Sequence, residues 1–160
     1  MQELEHLYRA HGPALLAYLR RAFGWCASPQ DMLQETFLQA LHRRERLATV
    51  DSPRAWLFGI ARHVGLDTAR KHRPTESLDN VPVYPAEPDG DLAAMREAIA
   101  QLPPAMREPL ELRLRENLSY EEIATMLEIP IGTVRSRLHN AMRRLRDEMG
   151  AEQPRRNSHG

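Results

Sequence analysis

"LSYEEIATMLEIPIGTVRSRL", residues 118–138, reads as two short helices around a sharp break. Ser119 followed three residues later by Glu122 is a capping box, in which a hydroxyl and a carboxylate each accept from the other residue's backbone N–H. A helix therefore starts at Tyr120 and turns Ile123, Ala124 and Leu127 inward. The segment "EIP" breaks it, and a second helix runs from about Ile131 to Met149. Val134, Leu138, Ala141 and Leu145 recur every three or four residues and form its buried stripe. Its other faces carry Arg135, Ser136, Arg137, His139, Asn140 and Arg143, and no acid follows until Asp147. Two helices with a tight turn, the second apolar on one side and basic on the other, make a helix-turn-helix.

That pattern suits duplex DNA. A helix fits the major groove, where arginine grips guanine at two atoms and asparagine does the same for adenine. Pro130 stands where a Ser or Thr cap is usual, so the first N–H groups of the second helix have no side-chain acceptor. Gly132 and Thr133 leave that end uncrowded, which points to a phosphate contact there.

Outward from this stretch, nearly everything reads as helix, and no alternating strand pattern occurs. Residues 2–10 and 13–23 form two short amphipathic segments split at Gly12-Pro13, the second burying Leu15, Leu16, Leu19 and Phe23. Ser28-Pro29 is an N-cap followed by proline at the first helical position, starting a helix to about residue 43. It buries Leu33, Phe37, Ala40 and Leu41 and leaves Asp31, Gln34, Glu35, Leu38 and Gln39 outward. A polar loop, 43–51, follows. Ser52-Pro53 repeats the start signal and launches a long helix to about Lys71 with Leu57, Ile60, Ala61 and Val64 inward. Residues 74–90 hold four prolines and no periodicity, and read as a semi-extended linker. Beyond it, Asp91 caps a helix with Leu92, Met95 and Ile99 inward, and "LPP" starts another through about Leu114. Pro109 inside that helix is expected to bend or break it. The fold class is all-α. Two small helical domains, 1–73 and 91–149, flank the linker, and 150–160 reads as a disordered tail.

The formal net charge is zero, but charge is segregated along the chain. Residues 1–73 hold 11 basic and 7 acidic side chains, 74–100 hold 1 and 6, and 101–160 hold 10 and 9. Local basic faces, not the total, decide whether a polyanion is attracted. Lys71 is the only lysine among 22 basic residues, and arginine's planar fork suits phosphate and guanine. No apolar run approaches the roughly 20 residues needed to span a bilayer, so no membrane insertion is expected. The single cysteine, Cys26, rules out an internal disulfide, fits a reducing cytoplasm, and reads as a small buried side chain. His6, His11 and Cys26 do not amount to a metal site: no HExxH, paired CxxC or glycine-rich phosphate loop is present. No metal, cofactor or small-molecule substrate is expected, and no activated nucleophile marks an enzyme.

"QDMLQETFLQAL" (30–41) and "SPRAWLFGIARHVGLDTARKHR" (52–73) resemble characteristic segments of bacterial sigma factors of the extracytoplasmic-function (ECF) subfamily. Residues 102–146 resemble the promoter-reading C-terminal domain of the same group, and the two blocks stand in the right order. The resemblance implies a first domain, sigma region 2, that binds core RNA polymerase and opens the minus-ten element. It implies a second, region 4, that reads the minus-thirty-five element, and control by an anti-sigma factor.

Carried onto this chain, the resemblance gives Asp31, Gln34, Glu35 and Leu38 a polymerase-binding role; an exposed mixture of acid, amide and leucine suits a protein better than anionic DNA. It places minus-ten DNA on Arg62, His63, Arg70 and Lys71 of the long helix. Arg43, Arg44 and Arg46 in the loop are expected to capture a flipped base, with Trp56 and Phe58 as stacking candidates. At the position of His63 the family often has asparagine. The minus-thirty-five contacts implied are Thr133, Arg135, Ser136, Arg137, His139, Asn140 and Arg143. A transcriptional regulator that binds DNA as a dimer, without promoter opening, explains residues 102–146 but leaves 28–73 idle.

Overall fold

The computed structural model describes residues 2–72 and 93–152. The linker expected at 74–90, the Asp91 cap, Leu92 and the tail from 153 onward lie outside the described residues. Within them the chain forms seven α-helices and one 3-10 helix, with no strand. The first group is α1 (Gln2–Phe23), α2 (Pro29–His42), a 3-10 helix (Arg44–Ala48) and α3 (Pro53–His72). The second is α4 (Ala93–Ala100), α5 (Pro104–Arg115), α6 (Tyr120–Leu127) and α7 (Ile131–Glu152).

In the first group α1, α2 and α3 pack mutually. Leu15, Tyr18, Leu19 and Phe23 of α1 are buried with Leu33 and Ala40 of α2 and Leu57, Phe58, Ala61 and Val64 of α3. The Tyr18 ring is tilted against Phe58 at 5.5 Å and meets Phe23 edge-on at 6.1 Å. Phe23 lies flat against the backbone of α3 at Gly65, where an added Cβ would stand 2.3 Å from the ring. Glycine is the only residue that permits that approach without repacking.

The start signals act as expected. The Ser28 hydroxyl accepts from the Asp31 N–H at 3.4 Å, and the Ser52 hydroxyl from the Ala55 N–H at 3.0 Å. Both arms of the Ser119–Glu122 capping box are present at 3.1 Å. The break after α6 is made by Glu128, whose φ of 56° is left-handed. Its N–H and that of Ile129 turn back onto the last carbonyls of α6, including Ala124, and so end the helix.

Several expectations are corrected. The N-terminal segments are not split: α1 is continuous with Pro13 inside it. Proline removes one backbone bond at a cost of about 3 kcal/mol. Here Pro13 lies on the exposed side, while Leu4 and Leu7 before it and Leu15 and Leu19 after it share one buried stripe, so burial of both halves outweighs the loss. Pro109 likewise leaves α5 unbroken and is itself buried. On α2 the buried set is Met32, Leu33, Thr36 and Ala40, with Phe37 and Leu41 only partly covered. Thr36 was missed because its hydroxyl disqualifies it as apolar; the group donates to the Met32 carbonyl at 2.7 Å and so enters the core satisfied. Met95 is exposed rather than inward. Met126, not Leu127, joins Ile123 as a fully buried side chain of α6. Cys26 is half-buried, its thiol 3.2 Å from the Phe23 carbonyl. The loop 43–51 is largely a 3-10 helix, and α7 runs three residues beyond Met149.

In the second group, α5, α6 and α7 enclose Leu112, Leu118, Ile123, Met126, Val134, Leu138 and Ala141, and α4 covers α7 with Ile99. The two groups also touch each other, because α6 packs along α3.

Candidate nucleic-acid interface

The four residues of the buried stripe of α7 turn the opposite side of the helix outward. Arg135, Ser136, His139 and Arg143 are exposed along that crest, while Thr133, Arg137 and Asn140 are half-buried on its flanks. The Ser136 hydroxyl donates to the Thr133 carbonyl at 3.1 Å. At the start of α7 the Pro130 carbonyl accepts from the Thr133 and Val134 N–H groups at 3.0 and 3.2 Å. A Cβ built on Gly132 meets nothing within 4 Å, so the helix N-terminus is open to an approaching anion.

A second basic surface lies on the first group. Arg43, which precedes the 3-10 helix, and Arg46 within it, with Trp56, Ile60 and His63 of α3, line a cavity of about 390 Å³. Trp56 is half-buried at this cavity, so its ring has an open side for stacking. Phe58 has none: it is fully buried against Tyr18, which removes it as a stacking candidate. The reason is helical spacing, since two residues along α3 carry a side chain from the rim to the core. Arg44 is exposed beside this cavity but does not line it. Arg70 and Lys71 are exposed at the far end of α3, where Arg70 pairs with Asp67 at 3.3 Å.

Asp31, Gln34, Glu35 and Leu38 share the outer face of α2, and Leu38 keeps 52% of its surface exposed. Beside them runs an apolar groove of about 450 Å³ between α1 and α2, with Leu4, Tyr8, Phe37 and Leu41 in its walls. The rings of Tyr8 and Phe37 meet edge-on at 4.9 Å. Sequence reasoning missed the α1 side of this groove; the exposed Tyr8 in an otherwise polar turn was the available signal.

Arg62 does not stand free on α3. It forks onto Glu108 of α5 through Nε and a terminal nitrogen. Burial pushes the Glu108 carboxyl above its ordinary range, and the Arg62 hydrogen bond and charge partly offset that. The His63 ring lies 3.3 Å from the Glu128 carboxylate. Arg21 of α1 pairs with Glu116, whose backbone carbonyl accepts from Arg54 of α3. The Ser52 hydroxyl donates to Glu122 at 3.0 Å. Burial raises the Glu122 carboxyl, but the Ser119 backbone N–H, the Ser52 hydroxyl and the Arg54 charge together hold it below its ordinary range. No local pattern in the sequence pointed to these pairs, because their partners are 46 to 95 residues apart.

Residues 7–75 match the family model of sigma-70 region 2, and residues 92–145 that of sigma-70 region 4. The chain is 35% identical over 151 residues to the ECF RNA polymerase sigma factor SigL of Mycobacterium tuberculosis, covering 88% of this chain and 85% of that one. It is 30% identical over 154 residues to the RNA polymerase sigma factor CarQ of Myxococcus xanthus, covering 91% and 88%. Among solved structures, CnrH in complex with the cytosolic domain of CnrY matches with a TM-score of 0.60 at 26% identity, over 94% of this chain and 90% of that one. The sigma factor RpoE of Bartonella quintana, in complex with the anti-sigma factor NepR, shares the fold with a TM-score of 0.64 at 24% identity, over 96% and 100%.

Proposed function

The chain belongs to the extracytoplasmic-function sigma factors, and from that premise we propose how its surfaces divide the work of transcription initiation. It is an alternative sigma factor that binds core RNA polymerase and directs promoter-specific initiation. The α2 face with Asp31, Gln34, Glu35 and Leu38 binds polymerase. The cavity of Arg43, Arg46, Trp56 and His63, with Arg44 beside it and Arg62, Arg70 and Lys71 further along α3, takes the melted minus-ten strand. There arginines follow phosphates and an aromatic face holds an unpaired base. The crest of α7, from Thr133 to Arg143, reads the minus-thirty-five element in the major groove. Residues 74–90 link the two domains. The protein is not an enzyme: binding energy opens the promoter, and the polymerase supplies the chemistry. It works in the cytoplasm, where that polymerase is.

The observation that supports this reading best is the presence of two separate basic surfaces, one around Trp56 and one along α7, on domains that also offer a protein-docking face. A dimeric regulator needs only the second. Two fold neighbours were solved with inhibitory or cytosolic partners, and we extend control by an anti-sigma factor to this chain. The test is run-off transcription with sigma-free core polymerase on a genomic promoter library. Specific transcripts that require both proteins are expected. Their absence on every template, or a palindromic footprint made by the chain alone, overturns the reading.

A further inference from the structure

Arginines near the crossing of α3 and α6 are of two kinds. Arg21 and Arg62 are held by Glu116 and Glu108, and Arg54 by the Glu116 backbone carbonyl. The Arg43 and Arg46 side chains have no such partner among the described residues, although both line the cavity beside α3. Two unpaired guanidinium groups at one cavity suit a phosphorylated ligand.

The remaining walls say what that ligand carries. Trp56 is half-buried and turns part of its ring to the same space, a face on which a flat base can stack. Gly59 lets α6 pass close over α3, since a Cβ there would stand 3.7 Å from the Met126 carbonyl oxygen. Thr125 and Glu128 complete the lining from the second domain. Glu128 ends α6 in a left-handed conformation, and its side chain is 74% exposed. Its Oε1 lies 3.3 Å from the His63 ring, and Oε2 has no partner among the described residues. A carboxylate only accepts hydrogen bonds, and its two oxygens match two neighbouring donors. Of the common bases, guanine alone presents such a pair on one edge, N1–H beside the N2 amino group. Adenine and cytosine set a ring-nitrogen acceptor beside their amino group, and thymine and uracil hold one N–H between two carbonyls. Trp56 and His63 stand two helical turns apart on α3, about 10.5 Å along its axis. The cavity volume of about 390 Å³ lies within the range of small-ligand pockets.

We propose that this cavity between the domains is a binding site for a free guanosine nucleotide. The base stacks on Trp56 and is read by Glu128, while Arg43 and Arg46 take the phosphates. Because both domains supply the lining, the nucleotide binds the docked chain and favours that arrangement over any other. The inference needs only the docked geometry and is independent of the roles proposed for polymerase and promoter. A guanine within a single strand offers the same chemistry, but walls from two domains favour a ligand with free ends.

The test titrates the full-length chain, without polymerase, with GDP, ADP, CDP and inorganic pyrophosphate in a calorimeter. GDP is expected to bind saturably and at least about tenfold tighter than ADP or CDP, the discrimination that one two-pronged base contact supplies. Pyrophosphate, which lacks a base to stack, is expected to bind at least about tenfold more weakly than GDP. Equal affinity for GDP and pyrophosphate reduces the site to an anion patch and overturns the proposal, as does the absence of saturable GDP binding. Glu128→Gln exchanges one acceptor for a donor at an exposed position. It is expected to abolish or reverse the preference for GDP over ADP and to leave pyrophosphate binding unchanged. Retained preference in this variant removes the reading group and overturns the site. Trp56→Leu keeps apolar cover and is expected to weaken GDP about tenfold with no effect on pyrophosphate. Arg43→Ala combined with Arg46→Ala is expected to weaken every phosphorylated ligand alike.

A last arm distinguishes the two sources of guanine. A pentanucleotide of deoxythymidines with one central deoxyguanosine is expected to bind more weakly than GDP. Equal or tighter binding of that strand assigns the cavity to nucleic acid and overturns the free-nucleotide site.

Discussion

Gly65 shows how tightly single positions are held. Its missing side chain lets the Phe23 ring lie against α3, and a methyl group there would sit 2.3 Å from ring carbons. Gly65→Ala is therefore expected to cost about 1–3 kcal/mol through overpacking, measured as a lower urea midpoint with an unchanged slope. Gly132→Ala, where nothing lies within 4 Å, is expected to leave that midpoint unchanged or raised. On the exposed crest of α7, Arg143→Ala is expected to reduce discrimination at one base pair of the upstream element by about 1–3 kcal/mol if the contact is two-pronged. Competition binding of holoenzyme to single-base promoter variants measures this; a uniform loss across all sequences marks a phosphate contact instead. At this scale the sequence spoke clearly for caps and core stripes and poorly for Phe58 and Met95. Trp56 and Phe58 differ by two positions, and composition alone does not say which of them the neighbouring helices cover.

The helices themselves carry separable tasks. Leu38 is 52% exposed at the edge of an apolar groove, an arrangement that wastes hydrophobic surface unless a partner covers it. Leu38→Asp is expected to abolish co-purification with core polymerase while leaving the far-ultraviolet dichroism unchanged. Retained capture removes α2 from the interface. Replacing residues 43–51 with the same segment of another family member is expected to change downstream-element choice and spare the upstream preference, read by permanganate footprinting of the open region. Element boundaries were legible because Ser28, Ser52 and Ser119 each announce a helix through a short-range hydrogen bond. The two interior prolines are weaker signals than the caps. Pro13 reads as a break and Pro109 as a bend or a break, yet neither proline ends its helix, since packing on each side of the proline holds the turns together.

At the scale of the whole molecule, charge couples the domains to pH. Burial and the Arg54 charge hold the His11 imidazole below its ordinary value of 6.5. A histidine whose folded pKa is depressed contributes stability above the unfolded value, and that contribution is lost as pH falls through the folded one. Glu122, also depressed, behaves the same way below 4.5. Glu108 is raised, so its buried charge opposes folding most at high pH and is relieved on acidification. His11 and Glu122 are therefore expected to lower the unfolding temperature on acidification in two stages, the first beginning near pH 6.5, while protonation of Glu108 works against them. His11→Gln flattens that first stage in scanning calorimetry and leaves the second. An unchanged profile in the variant removes His11 from the linkage.

What the amino-acid order determined by itself was local: where helices start, which faces are apolar, and which face of α7 is basic, because these follow from contacts within a few residues. What only the tertiary structure decided was how α6 lies on α3, which acids meet Arg21, Arg62 and His63, and that Arg54 reaches the Glu116 backbone carbonyl. Those pairings join residues far apart in the chain. Their energy depends on burial, which no stretch of sequence contains until the two domains are brought together.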